Sequence, residues 1–136
     1  MFRVAVRRYR RVLRRRALKP SAARLAHYAA NKEEARALIC ARVAELNVHY
    51  NFAYNRIAIR NTRSRWGSCS RKRNLNFSYI IASLPQGLRD YVIVHELCHL
   101  AAFNHSPAFW DRVAETLPNH RSLRASLRKH GHLLRA

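Results

Sequence analysis

A chain of 136 residues suits one domain with one core, and 49% hydrophobic residues can fill that core. The net charge of +20, from 27 Lys+Arg against 7 Asp+Glu, points to anionic partners: nucleic acid, an acidic membrane surface, or acidic or phosphorylated substrates. Cys40, Cys69 and Cys98 form no C-x-x-C and no even set, which argues against a disulfide framework and for free thiols in a reducing compartment.

No apolar run reaches the length of a membrane span, and no apolar stretch of the secretory-signal kind follows the basic N-terminus. The expectation is a cytoplasmic protein. The acid-free, arginine-rich first 30 residues also fit an organellar transit peptide. Residues 1–20 read as a basic N-terminal arm, with eight arginines between Arg3 and Arg16, and residues 21–136 as one domain. Val4 and Val6 alternate like a strand while Phe2, Val6, Tyr9 and Leu13 keep a helical spacing, so the arm's own structure stays open. Lys19-Pro20-Ser21 marks a break.

Asn31, followed three residues later by Glu34, has the form of a capping box. Ala35, Leu38, Ile39, Val43 and Leu46 then continue an apolar stripe, predicting a helix over residues 32–48. Asn55 to Arg60 and Asn74 to Tyr79 alternate polar and apolar residues as half-buried strands do. With Arg71-Lys72-Arg73 as a basic turn between them, they predict a β-hairpin with a bulge near Gly67. Pro85 opens a helix expected to run to Phe103, and Asn104 ends it. Ser106-Pro107 is an N-cap with proline at N1, starting a helix that carries Phe109, Val113 and Leu117 on one face and stops at Pro118. A last helix over residues 120–130 turns Leu123 and Leu127 inward, with Gly131 as its C-terminal cap.

The helix after Pro85 carries His95-Glu96-Leu97-Cys98-His99, an H-E-x-x-H pattern, with His105 six residues beyond. At about 100° per residue, His95 and His99 stand one turn apart on one face, and Glu96 lies about 100° round from His95. Two imidazoles so placed grip one metal ion, which in a catalytic zinc site has three protein ligands and a water. Glu96 is within reach of that water as a general base. Ile93, Val94, Leu97, Leu100 and Ala101 fill the opposite arc, so one side of the helix can bury while the other presents the histidines.

Three blocks, in order, carry a resemblance: Arg65-Trp66-Gly67-Ser68-Cys69, the run from Asp90 to His99, and Asn104-His105-Ser106-Pro107-Ala108-Phe109-Trp110. Together they resemble the YgjP-like metallopeptidase domain, a bacterial zincin-like family similar to SprT and WLM domains. The resemblance implies an α+β, minimal zincin-like fold, with a small antiparallel sheet packed on an active-site helix and flanking helices. It implies zinc held by His95, His99 and His105, with Glu96 as catalytic base. One departure stands out: Ala102 occupies the position where metzincins with the same histidine spacing turn on glycine, so the turn is expected at Phe103-Asn104.

Other residues compete for roles. Glu115 is the rival third ligand, from the following helix. Asp90 and Asp111 are possible acceptors for a ligand histidine's free N–H, or partners in surface ion pairs; Asp90 is also a structural partner for Arg65. Cys98 lies about 60° from His95 and reads as a buried thiol. Trp66 packs or forms a substrate platform; Arg65 stabilises an oxyanion, holds a phosphate or carboxylate, or is structural; His120 is a remote transition-state donor.

The primary expectation is therefore a zinc-dependent metallopeptidase acting on a peptide or protein substrate, held along the edge near residues 63–69. The alternatives are a metal-dependent nucleotide phosphoanhydride hydrolase, suited to Arg60, Arg63 and Arg65, and a nucleic-acid-associated protease or binding protein. No sequence feature sets the oligomeric state.

Overall fold

The structure, a computed structural model, describes residues 20–136. The basic arm expected over residues 1–20 therefore lies, up to residue 19, outside the described residues. The elements in order are α1 (Ala22–Tyr50), β1 (Arg56–Arg60), β2 (Gly67–Cys69), β3 (Asn74–Ser78), a 3-10 segment (Tyr79–Ser83), α2 (Gln86–His99), α3 (Pro107–Thr116), α4 (His120–Lys129) and a short α5 (Gly131–Arg135).

Helix α1 begins ten residues before the predicted start. Ser21 is its N-cap, its hydroxyl accepting the Arg24 amide at 3.1 Å. Asn31 is not a cap but a helix-interior residue, donating its side-chain amide to the His27 carbonyl at 2.8 Å. The capping-box pattern was real in sequence and idle in the fold, because Ser21 had already started the helix. Ala35, Ile39 and Val43 are buried as their spacing demands, whereas Leu38 is exposed. Asn51 ends the helix in the left-handed region, with φ 53°.

The sheet corrects the expected hairpin. Its order is β1-β3-β2, with β1 parallel to β3 (Arg56↔Asn74, Arg60↔Ser78) and β2 antiparallel to β3 (Gly67↔Phe77, Cys69↔Leu75). The α+β class holds, but the sheet is mixed. The two alternating segments are adjacent strands, with Ile59, Leu75 and Phe77 buried. Alternation reports which face a residue occupies and is silent on strand direction. The real hairpin is β2–β3. The Arg73 amide donates to Ser70, and Arg73 itself takes a left-handed conformation at φ 64°.

Helix α2 lies in the middle of the molecule. Ile93, Val94, Leu97 and Cys98 are fully buried, and Tyr91, Val92, Glu96 and His99 are nearly so. The face expected to be open is thus largely covered, because β2 and α3–α4 close over it. The helix ends at His99, four residues before Phe103. Asp90 pairs with Arg42 of α1 through two hydrogen bonds of 2.8 Å, clamping the two longest helices together. Asp90 is thus an ion-pair partner, of Arg42 and not of Arg65, and does not serve as an acceptor for a ligand histidine. Ser106-Pro107 starts α3 as predicted. Gly131 does not cap α4 in a left-handed conformation but opens α5.

Candidate metal centre

His95 and His99 stand one turn apart on α2, and the 100–106 segment folds back to bring His105 beside them. The Nε2 atoms of His99 and His105 lie 3.2 and 3.1 Å from the Nε2 of His95. A tetrahedral ion with nitrogen ligands near 2.0–2.1 Å sets its donors about 3.3–3.4 Å apart, so the three atoms are spaced to share one ion. Among the described residues these three histidines form the one group of metal-binding side chains.

The surroundings orient the rings. His99 donates its Nδ1 proton to the Ala102 carbonyl at 3.0 Å, which leaves the Nε2 lone pair free. The turn therefore does more than replace the glycine: Ala102 supplies the acceptor. Buried Phe109 stacks on the His99 ring with centroids 4.5 Å apart and meets His105 edge-on. Trp110 stacks on His105 as well, with centroids 5.9 Å apart. Ser106 and Pro107 matter because they start α3 where these two aromatics fall against the histidines.

Burial, with His99 and His105 beside it, depresses His95 to about 3, and burial also lowers His99. Both rings are neutral near pH 7, the form that offers a lone pair to a metal. The His95 Nδ1 is buried and has no hydrogen-bond partner among the described residues.

Glu96 is only 7% exposed, and burial lifts its carboxyl to about 8 against the opposing pull of Arg65. It lies against β2. A Cβ placed on Gly67 would come within 2.9 Å of the Glu96 Cγ and 3.0 Å of the Asn76 carbonyl oxygen. Only a glycine lets the edge strand approach the helix this closely. Gly67, Glu96 and His95 open onto a cleft of about 300 Å³, walled by Trp66, Tyr91, Val92 and Leu127 and rimmed by Arg65, Arg124 and Arg128. Such a site can hold a divalent ion, present a buried carboxylate to a water beside it, and seat a substrate against a free strand edge.

The structure thus brings His95, Glu96, His99 and His105 together and places Arg65 at the rim, exposed and unconnected to Asp90. Glu115 does not join the histidines. It sits two residues beyond buried Val113, turned away from the packed face of α3, and pairs with Arg112 at 3.6 Å. Asp111 is exposed. Cys98 is the buried thiol expected, pushed up to about 11. Trp66 both packs on the core and lines the cleft. His120 stacks on Trp110 instead of joining the donors. Sequence reasoning missed Gly67, the Ala102 carbonyl, Arg124 and Arg128. A glycine inside a strand is a recognisable sign of close approach, and two arginines four apart share a helix face, but nothing in the sequence aims either at this site.

The YgjP-like metallopeptidase domain model matches residues 3–130. Among solved structures, the metallopeptidase zymogen of Pyrococcus abyssi abylysin is similar in fold, with a TM-score of 0.62 and 17% identity over 68% of this chain and 93% of that one. The zymogen of Methanocaldococcus jannaschii jannalysin is similar with a TM-score of 0.60 and 21% identity over 68% and 95%. No curated protein matches the sequence.

Proposed function

The chain belongs to the YgjP-like metallopeptidase family and is a hydrolase, and from that premise we propose that it hydrolyses peptide bonds with a zinc ion held by His95, His99 and His105 and with Glu96 as general base. The observation that carries this reading is the convergence of three Nε2 atoms, 3.1–3.2 Å from one to the others, beside a buried carboxyl that faces an open cleft. Zinc bound there supplies a Lewis acid that polarises the scissile carbonyl and brings the pKa of a water towards about 7.

The protein's own groups do the rest. The Glu96 carboxylate accepts a proton from the attacking water and passes it to the leaving amine. Burial lifts this carboxyl to about 8 despite Arg65, which makes its carboxylate basic enough for the first transfer, and the charge of a bound ion would favour the ionised form near pH 7. Neutral His95 and His99 hold the ion, with the Ala102 carbonyl keeping His99 in the required tautomer. Strand β2 is a sheet edge beside α2, suited to pairing with an extended peptide. Arg65 stands where it can steady negative charge developing on the carbonyl oxygen.

The test is a Glu96→Gln protein. It should keep its metal, measured by elemental analysis, and lose about 10²–10⁴-fold in peptide cleavage. A metal-loaded Glu96→Gln protein cleaving at the wild-type rate would sink the mechanism. The arginines at the rim favour a second reading, hydrolysis of a nucleotide phosphoanhydride at the same site. Chelator-sensitive release of phosphate or pyrophosphate from nucleoside triphosphates would support it.

A further inference from the structure

The charge around the cleft is one-sided. Arg65, Arg124 and Arg128 stand at its rim, all exposed, and Glu96 is the one carboxylate lining it among the described residues. The chain has seven acidic residues and all of them lie after residue 32, so residues 1–19 hold no carboxylate side chain to offer. Glu33 pairs with Arg36, Glu45 and Asp90 with Arg42, and Glu115 with Arg112. Glu34 lines a separate hollow with His27 and Arg89. Asp111 lines the hollow that adjoins the cleft at Arg124. It forms no ion pair with Arg124 among the described residues.

Arg124 is held at the site. Its guanidinium lies over the Trp110 ring, 5.6 Å from the centroid, and Trp110 stacks on His105. Arg128 follows one turn later on α4, over the same cleft. The walls beneath the cations are apolar: Trp66, Tyr91, Val92 and Leu127. A group with an apolar stem and an anionic end fits both parts. Among peptide groups this is the carboxylate of glutamate or aspartate, or a free C-terminus.

We infer that this cleft selects peptides that carry a carboxylate close to the scissile bond, with Arg124 and Arg128 as the specificity-determining residues. The inference rests on the peptidase reading of the site. A substrate carboxylate would supply the anion that no acid of the described residues brings to Arg124 and Arg128, which differ from the protein's other acid-free cations in standing over an apolar-walled cleft beside the histidines.

The experiment compares end-capped peptides differing only by Glu or Gln near the cleaved bond, plus a Gln peptide with a free C-terminus, on the metal-loaded full chain. The wild type should favour Glu over Gln by about tenfold or more in kcat/KM. Arg124→Glu/Arg128→Glu should abolish or reverse that preference towards Lys-containing peptides. Arg56→Glu/Lys72→Glu makes the same change in net charge at exposed sites outside the cleft and should keep the preference within about twofold.

A preference for the free C-terminus alone, lost in the Arg124→Glu/Arg128→Glu protein, upholds the inference and assigns the carboxylate to the chain end. Equal cleavage of all the peptides overturns the inference and leaves the peptidase reading standing. Cleavage of none overturns the peptidase reading and the placement at a scissile bond with it, and leaves carboxylate selection by Arg124 and Arg128 to be decided by binding to the metal-loaded Glu96→Gln protein. Glu-selective binding that the Arg124→Glu/Arg128→Glu change removes upholds the inference. Equal binding of Glu and Gln peptides, or binding of a nucleoside triphosphate without binding of the Glu peptide, overturns it.

Discussion

The arginines of this protein do two different jobs on two sides of α2. On the side of α1, Arg24 is 5% exposed and its guanidinium donates to oxygens of the chain, the main-chain oxygens of Leu134, Ala136 and Thr62 and the Asn61 side chain, at 2.7–2.9 Å. It ties the C-terminal residues to the loop that leads into β2. Arg42 does the same between α1 and α2 through Asp90. On the cleft side, Arg65, Arg124 and Arg128 are exposed, Arg124 lying over Trp110, beside a buried carboxyl, three crowded imidazoles and a His95 Nδ1 with no hydrogen-bond partner among the described residues. The same residue type is consumed by structure on one side and left available on the other. Arginines whose donors end on the chain's own oxygens hold the fold, and arginines left at the rim of a cleft are available to something that comes from outside.

The sharpest way to break the comparison is at the histidines. His95→Ala/His99→Ala should lower bound zinc from about one per chain to near zero and abolish activity. The metal-free variant should still unfold cooperatively, at a lower midpoint, because His99 is buried against Phe109 while the hydrogen bonds of Arg24 and Arg42 are untouched. Elemental analysis and calorimetry on both proteins check this.

The converse change is Arg24→Met, which strands three backbone carbonyls and should cost about 3 kcal/mol in urea unfolding. The folded fraction should still bind one metal ion. Gly67→Ala strikes the cleft alone. Its Cβ must displace the Glu96 side chain or β2, so kcat should fall about tenfold while stability falls by about 1–2 kcal/mol.

The most gradual change is a slope with pH in the metal-free protein. The Glu96 carboxyl titrates at about 8 in the fold and, unfolded, near the usual value of about 4.3. The unfolded chain therefore ionises first, and stability is lost as pH rises from about 4 towards 8, then levels off. His95 acts in the opposite sense: depressed to about 3, it withdraws stability as pH falls below about 6.5, where it partly offsets the Glu96 slope. Glu96→Gln should remove the loss on the alkaline side and leave the His95 slope unopposed below about 6.5. Urea titrations in chelator at pH 5, 6.5 and 8 measure both arms.

Much of the site was legible because its parts are close in sequence. His95, Glu96 and His99 lie within five residues of one helix, and helical geometry alone places them. Ser106-Pro107 announced α3 by a local rule, and Phe109 and Val113 showed their buried face by their spacing. Boundaries were less legible, since two start signals compete in α1 and Asn31 carries the more elaborate one while Ser21 acts first. The missed groups are those whose role depends on a distant neighbour.

What the sequence determined by itself is periodic and local: the amphipathic stretches, the H-E-x-x-H face with His105 in range, the acid-poor arginine excess, and the α+β class. What only the tertiary structure decided is pairing. It made β3 the central strand, running parallel to β1, gave Asp90 to Arg42, set Gly67 against Glu96, and swung Arg124 and Arg128 over the cleft from thirty residues downstream. Periodicity records which way a side chain faces along its own element. Which partner it meets depends on how whole elements pack, and that is settled by the summed burial of the core and not by any short stretch of chain.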